Sequence, residues 1–481
     1  MTTTLTWFPM SIPEALTVLG AAALVLARWL PGRFRRPATF AGGALLVGSV
    51  TVLVAAGPRW QMVPVLAAAA VAAPFALAPL FPRRSGRAPR RARWWLALPG
   101  SVVCAALIAT GPVSAWALPI PEFPEPSGRF PVGTEVMEWS ARPDGADRGG
   151  AERTLVTQLW YPAGESAKDA PRMPYLGRTE GESRTVSSAL AQYAGVPGFL
   201  LDGLPRARSH AVSGAPVARE GGRFPVVVFS PGLGGVRTQN TAWAEELASH
   251  GYVVAAVDHP YDSAAVVLAD GRTLRTRVSA TGDEAKDAAL AEGWTRARAG
   301  DLRTVLTRLT RMHRGDGGGA LAGRLDTGRV AVTGHSLGGA AALQAARQDR
   351  RFAAVINLDG FPHGPVDGQL GQPVLALTQE IAPRTDPDYL PRLTRVLERG
   401  SATNYRLTVP GAAHLTFTDA PLYLPPVPGV VGSLGRMEGH RLTAAATLSF
   451  LDATLRRIPV DLPAALAAHG DVTVHRTQGT G

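Results

Sequence analysis

Three residues of the types that run acyl chemistry follow one another along this chain: Ser336, Asp359 and His414. Ser336 lies in Gly334-His335-Ser336-Leu337-Gly338-Gly339, directly after the run Val330-Ala331-Val332-Thr333 and before Ala340, Ala341 and Ala342. This reads as a strand, a sharp turn and a helix start. Glycines two residues to either side of the serine are needed there, because such a turn brings strand and helix backbones too close for a Cβ. The Oγ is then presented at the top of a sheet, at the positive end of a helix. A serine hydroxyl is a weak nucleophile, so it needs a base within hydrogen-bond reach and a carboxylate to orient that base. Asp359 stands directly after the apolar strand ending at Leu358, and His414 stands on a glycine-containing loop after the strand ending at Val409. Asp367 and Asp386 are the rival acids. Most of the ten histidines read as surface-loop residues; His259 follows a strand but precedes Ser336, and His440 falls in a predicted helix.

Attack on an ester carbonyl creates an oxyanion, which needs preorganised N–H donors. The backbone N–H of Leu337 is one candidate. A second is expected from the glycine-rich loop Ser230-Pro231-Gly232-Leu233-Gly234-Gly235, where the Leu233 N–H is best placed. The same loop could cradle a phosphate, but the lysine and the following serine or threonine of such a cradle are missing. No His-Glu-x-x-His or clustered His/Cys pattern occurs, so no metal and no cofactor are expected. The net charge of +11 comes almost wholly from arginine, Lys168 and Lys286 being the only lysines. With no aromatic-interleaved basic patch, that charge points to a membrane surface and away from nucleic acid. The sole cysteine, Cys104, sits in a hydrophobic run and excludes an intramolecular disulfide.

The elements that must hold these residues alternate from Phe224 onward. Apolar strands at Val226–Phe229, Tyr252–Val257, Val330–Thr333, Ala353–Leu358, Pro373–Leu377 and Tyr405–Val409 are separated by helices near Asn240–His250, Arg296–Met312, the stretch after Ser336 and Gly439–Leu455. Continuous apolar strands alternating with helices predict an α/β class with a mostly parallel sheet covered on both faces. Thr154–Tyr161 reads as a further strand, preceded by a hairpin loop at Ala141–Arg153. The apolar patch Val196–Leu201 suits either a cover over a pocket or a packed loop.

Four apolar blocks precede this region: Pro13–Leu30, Ala38–Ala56, Trp60–Phe81 and Trp94–Leu118. Each approaches the ~20 residues that span a hydrocarbon core as a helix, so four transmembrane helices are predicted over residues 1–118. Arg33, Arg35 and Arg36 follow the first block, and six arginines from Arg83 to Arg93 lie between the third and fourth, against Arg59 alone in the intervening loop. The excess of arginine in cytoplasmic loops then puts everything after Leu118 on the extracytoplasmic side of the cell membrane. Residues 119–131 form a proline-rich linker, residues 132–458 the catalytic domain and residues 459–481 a C-terminal tail. Oligomeric state is left open.

Phe229-Ser230-Pro231-Gly232-Leu233-Gly234-Gly235, Gly334 to Gly339, Asn357-Leu358-Asp359-Gly360 and Ala413-His414-Leu415-Thr416-Phe417 together resemble the plasma-type platelet-activating factor acetylhydrolases, or lipoprotein-associated phospholipases. Trp160-Tyr161-Pro162 and Val257-Asp258-His259 resemble further parts of that family, and the similarity spans about Arg129 to Leu455. It implies an α/β-hydrolase fold and calcium-independent ester hydrolysis by Ser336, His414 and Asp359, with Leu233 and Leu337 donating to the oxyanion. Polyester-degrading cutinases and dienelactone hydrolases look similar too. The implied partners are an ester or phospholipid substrate and a membrane. The same triad could serve acyl transfer, and a non-catalytic binding module has no need of all these parts.

Overall fold

A computed structural model of the chain describes residues 9–78, 94–141, 153–279, 281, 283–316, 319–364, 369–381 and 386–476. The chain divides into two compact units, Met1–Ile120 and Pro121–Gly481.

The first unit holds the helices Ile12–Ala27, Gly32–Ala56, Met62–Leu77 and Trp94–Ala117. Gly32–Ala56 and the Ala97–Ala117 stretch are long and apolar enough to cross a membrane; the other two have 16 residues each. The first helix stops at Ala27, short of its expected end at Leu30, and the Arg35 guanidinium donates to the carbonyls of Ala27, Arg28 and Leu30 at 3.2, 2.9 and 3.1 Å, satisfying its open end. The arginine-rich stretch from Arg83 to Arg93 lies outside the described residues, as does the end of the third block. Small residues set the helix packing: a Cβ on Gly20 would meet the Gly42 carbonyl oxygen, and the buried Thr17 and Ser49 hydroxyls bond at 2.9 Å. Outward, the helices present Val47, Val54, Phe75 and Val113, each more than 60% exposed. A helix apolar on its outer face as well as its inner one is unlike the half-polar helix of a water-soluble bundle.

Among the described residues the second unit holds thirteen strands: β1 (Val132–Ala141), β2 (Arg153–Pro162), β3 (Arg172–Pro174), β4 (Arg208–Ser213), β5 (Phe224–Ser230), β6 (Val253–Asp258), β7 (Ala265–Val267), β8 (Thr273–Arg275), β9 (Leu325–His335), β10 (Phe352–Leu358), β11 (Val374–Gln379), β12 (Asn404–Val409) and β13 (Asp471–His475). Eleven of them form one sheet in the order β13-β12-β11-β10-β9-β5-β6-β2-β1-β4-β3, while β7 and β8 make a separate hairpin. The six strands from β12 to β6 run parallel, and antiparallel strands flank them on both sides. Parallel strands must be covered on both faces, and alternation along β5 meets that need. Val226 and Val228 pack with the helices Glu284–His313 and Leu337–Gln348, whereas Val227 and Phe229 pack against Thr241–Ser249 and Glu438–Leu451. Burying a valine or phenylalanine side chain contributes roughly 1.5–3 kcal/mol, so these four residues tie β5 firmly to both covering layers.

Two elements differ from the sequence expectation. The helix expected at Arg296–Met312 begins twelve residues earlier, at Glu284, where the Asp283 side chain accepts from the Lys286 N–H and caps it. Residues 459–481, set apart as a tail, supply the helix Leu462–Ala467 and strand β13, which pairs antiparallel with β12. The Val196–Leu201 patch forms a single 3-10 turn, Gly198–Leu201, with Leu201 buried and Phe199 exposed. Most of the hairpin loop expected at Ala141–Arg153 lies outside the described residues, although β1 and β2 pair as its two arms.

Candidate active site

Strand β9 ends at His335, and Ser336 turns the chain into the helix Leu337–Gln348 with φ 55° and ψ −126°. A serine in that conformation is strained, and the surrounding packing holds it there. The packing leaves no room for larger residues: a Cβ on Gly338 would run into the Ser230 carbonyl oxygen, and one on Gly334 into the Gly338 backbone. The close approach inferred from the glycine spacing is therefore present, and it involves β5 as well as β9.

Asp359 follows β10 and is also at positive φ, 49°. Its carboxylate is buried and accepts on both oxygens. Oδ2 takes the His414 Nδ1 at 2.7 Å and the Gln379 Nε2 at 3.0 Å; Oδ1 takes the Gln379 N–H at 3.2 Å and, at a longer 3.4 Å, the Tyr389 hydroxyl. Burial, and then the adjacent Asp359 charge, push the Tyr389 phenol well above its ordinary pKa, so it remains a donor. His414 begins a 3-10 turn after β12, and its side chain is 43% exposed against 1% for Asp359. That contrast suits a base that must reach solvent and substrate while its orienting carboxylate stays dry.

Ser336, Asp359, His414, Leu233 and Leu337 all line one cavity of about 460 Å³. The N–H groups of Leu233 and Leu337 have no acceptor among the described residues. Trp294, Phe361, His363 and Tyr389 supply an aromatic wall on the same cavity.

Of the rival acids, Asp386 also lines the cavity, but its Oδ1 accepts from the Tyr389 N–H at 3.1 Å at the start of a helix. Asp367 lies outside the described residues. His440 is helical, as expected, and burial holds it down at about pKa 4. His259 departs from the surface-loop expectation. It is fully buried, with Nε2 at 2.9 Å from the Ser230 Oγ and Nδ1 at 2.8 Å from the Asp301 Oδ2. This second Ser-His-Asp array is buried and lies outside the cavity lining, at the strand end before the glycine-rich loop.

Sequence reasoning missed the side chains that tie the site together. Gln239 accepts the Gly232 N–H on Oε1 at 3.1 Å, which turns its Nε2 toward the His335 Nδ1 at 3.0 Å. Burial, and then the neighbouring His414, keep His335 well below its ordinary pKa. A neutral ring that accepts at Nδ1 carries its proton on Nε2, and that nitrogen donates to the His414 carbonyl at 2.8 Å. One amide side chain thus joins the glycine-rich loop to the histidine loop through the residue before Ser336. Nothing in a Val-Arg-Thr-Gln-Asn string signals that contact. The neighbouring Gly-His-Ser spacing marked only the turn.

A family model described as platelet-activating factor acetylhydrolase, isoform II, matches residues 119–288 and 318–458. A probable 1-alkyl-2-acetylglycerophosphocholine esterase of Arthroderma benhamiae is 28% identical over 348 residues, covering 67% of this chain and 82% of that protein. The platelet-activating factor acetylhydrolase of Cavia porcellus is 28% identical over 276 residues; the match spans 48% of this chain and 58% of the relative. Among solved structures, a ferulic acid esterase from Streptomyces cinnamoneus matches with TM-score 0.58 at 32% identity, over 74% of this chain and 99% of that one. The resemblance read from four short motifs therefore extends over residues 119–288 and 318–458, and the chain belongs to the platelet-activating factor acetylhydrolase, isoform II, family of carboxylic ester hydrolases.

Proposed function

We propose that the chain is a membrane-anchored serine esterase that cleaves acyl esters through an acyl-enzyme, with Ser336 as nucleophile, His414 as base and Asp359 as its orienting acid. The observation that carries this reading is the convergence of all three, with two backbone N–H groups that have no acceptor among the described residues, on a single cavity. In the first half-reaction the Ser336 Oγ bonds to the ester carbonyl carbon while its proton passes to the His414 Nε2. The Leu233 and Leu337 N–H groups receive the oxyanion. The intermediate collapses with cleavage of the ester C–O bond, and the proton on His414 goes to the departing alcohol. Water then repeats the sequence on the acyl-Ser336 and releases the carboxylic acid, restoring the serine. An alcohol in place of water at that step would make the enzyme an acyltransferase. No metal or cofactor takes part in this scheme.

The substrates proposed are short-chain or oxidised acyl esters of glycerophospholipids, in keeping with the named relatives. The aromatic wall of Trp294, Phe361, His363 and Tyr389 supports a second reading, esters of aromatic acids, since flat rings stack on such surfaces. A panel of 2-acetyl phospholipid, long-chain phospholipid and methyl ferulate separates these. Preferential, EDTA-resistant cleavage of the acetyl ester, abolished by a fluorophosphonate that labels Ser336, is expected under the first reading. Preference for the ferulate transfers the assignment to the second. If chelation abolishes activity on every ester and added metal restores it while Ser336→Ala is neutral, the serine scheme fails.

Anchoring by the first unit, with the catalytic unit outside the cytoplasm, rests on the exposed apolar helix surfaces and on the arginine asymmetry between alternate loops. A reporter fused after Leu118 is expected to behave as external and one inserted between Arg83 and Arg93 as cytoplasmic. The reverse pattern overturns the orientation.

A further inference from the structure

A buried arginine contacts the glycine-rich loop from behind. Arg298, on the helix Glu284–His313, is 1% exposed in its side chain. Its Nε and Nη2 grip the two Asp262 carboxylate oxygens, each at 2.6 Å, and its Nη1 and Nη2 donate to the carbonyls of Pro231 and Gly232, the latter at 3.0 Å. The Gly232 carbonyl also accepts the Gly235 N–H at 3.0 Å. That oxygen is held by two donors, and neither Arg298 nor Gly235 is among the residues that line the cavity.

The consequence follows from peptide geometry. In a planar trans peptide the carbonyl and the next N–H point in opposite directions. Fixing the Gly232 carbonyl against Arg298 therefore fixes the Leu233 N–H to the opposite side, and Leu233 lines the cavity. Gly234, at φ +68°, lets the loop turn immediately afterwards. We infer that Arg298 is a positioning residue for ester hydrolysis: with Asp262 as counter-ion, it locks the Gly232–Leu233 peptide plane so that the Leu233 N–H meets the oxyanion. This rests on the serine-esterase reading above. Arg298 falls between the two segments that the family model matches.

Why an arginine is used is a matter of donor count. Four donations from one side chain to two acceptors on Asp262 and two on the loop need a planar fork, which a lysine cannot supply. Asp262 keeps the guanidinium from being a lone buried charge. Burial works to raise the Asp262 pKa, but Arg298 outweighs it and holds the carboxyl below its usual range.

The test compares wild type, Arg298→Lys, Asp262→Asn and the double variant Arg298→Met with Asp262→Leu, which leaves neither charge buried alone. Each is checked for a cooperative thermal transition, then assayed on a soluble ester and against a trifluoromethyl ketone, whose adduct with Ser336 carries an oxyanion. Removing an oxyanion donor outright costs about 10²–10³ in kcat; a misaligned donor is expected to cost about 10- to 10²-fold. Folded Arg298→Lys and the folded double variant should show that loss in kcat, an equal weakening of ketone binding and a KM within about 2-fold. Asp262→Asn should show a smaller loss of the same kind. A folded Arg298 variant with kcat and ketone affinity within about 2-fold of wild type overturns the proposal. So does a loss of activity that only tracks the fraction unfolded. Ser336→Ala, run alongside, separates the two levels: if it stays active, the esterase reading has failed, whereas an inert Ser336→Ala beside an unaffected Arg298→Lys sinks only the role of Arg298.

Discussion

Ser336→Ala is expected to lower kcat on a soluble ester by roughly 10³-fold or more, and His414→Ala to do nearly the same. Under the proposed scheme the two act as one unit: the hydroxyl is useless without a base to take its proton, and the base has no proton to take without the hydroxyl. The double variant should therefore be little worse than either single one. The residual rate would come from the Leu233 and Leu337 N–H groups and from substrate binding, which neither substitution touches. KM should move little, because the side chains removed contribute chiefly in the transition state. Steady-state kinetics on the four proteins, with fluorophosphonate labelling as a second readout, checks this. Losses that multiply in the double variant would mean that Ser336 and His414 serve separate steps. A Ser336→Ala protein that still labels would place the nucleophile elsewhere.

The parts of this site that could be read from the sequence are those governed by local backbone demands. The Ser336 turn is visible because a strained conformation between a buried strand and a close-packed helix admits glycine alone at Gly334 and Gly338, and that need is written in adjacent positions. Asp359 and His414 were placed by their positions after strands, which the apolar runs of β10 and β12 mark plainly. Gln239 and Arg298 were not legible for a different reason. Their partners are a histidine ring 96 positions away and loop carbonyls 66 and 67 positions away, and a glutamine or an arginine on a polar helix or loop has the same appearance whether it faces water or a buried acceptor. The early start of the Glu284–His313 helix was hidden because its first turns, Glu284-Ala285-Lys286-Asp287-Ala288-Ala289-Leu290-Ala291, offer alanines with a single larger apolar residue and so mark no clear stripe. β13 was missed because Asp471-Val472-Thr473-Val474-His475 is short and its alternation covers only two apolar residues at a sheet edge. Edge strands need less apolar sequence than central ones, so they leave a fainter pattern.

For the aspartate, donor counting predicts the outcome. Every group around Asp359 donates to it: His414 Nδ1, Gln379 Nε2, the Gln379 N–H and the Tyr389 hydroxyl. A carboxylate accepts on both oxygens, whereas the asparagine in Asp359→Asn must turn an NH₂ toward one side. If the NH₂ faces His414, it donates to Nδ1 and drives the ring proton to Nε2, where it blocks the acceptance of the Ser336 proton. If the NH₂ faces the other way, it meets the Gln379 backbone N–H, a buried donor that cannot rotate, while the Tyr389 hydroxyl can. On the His414 side the ring can change tautomer and the Gln379 side-chain amide can flip to present its oxygen, so the first orientation opposes no fixed donor and the wrong tautomer is favoured. A kcat loss of roughly 10³- to 10⁴-fold is expected with KM little changed, the size associated with a misoriented base. Asp386→Asn should cost at most about 10-fold, since that carboxylate bonds a helix N–H and not the histidine. Parallel kcat measurements on the two variants check the assignment. Near wild-type activity in Asp359→Asn together with a 10³-fold loss in Asp386→Asn would exchange their roles.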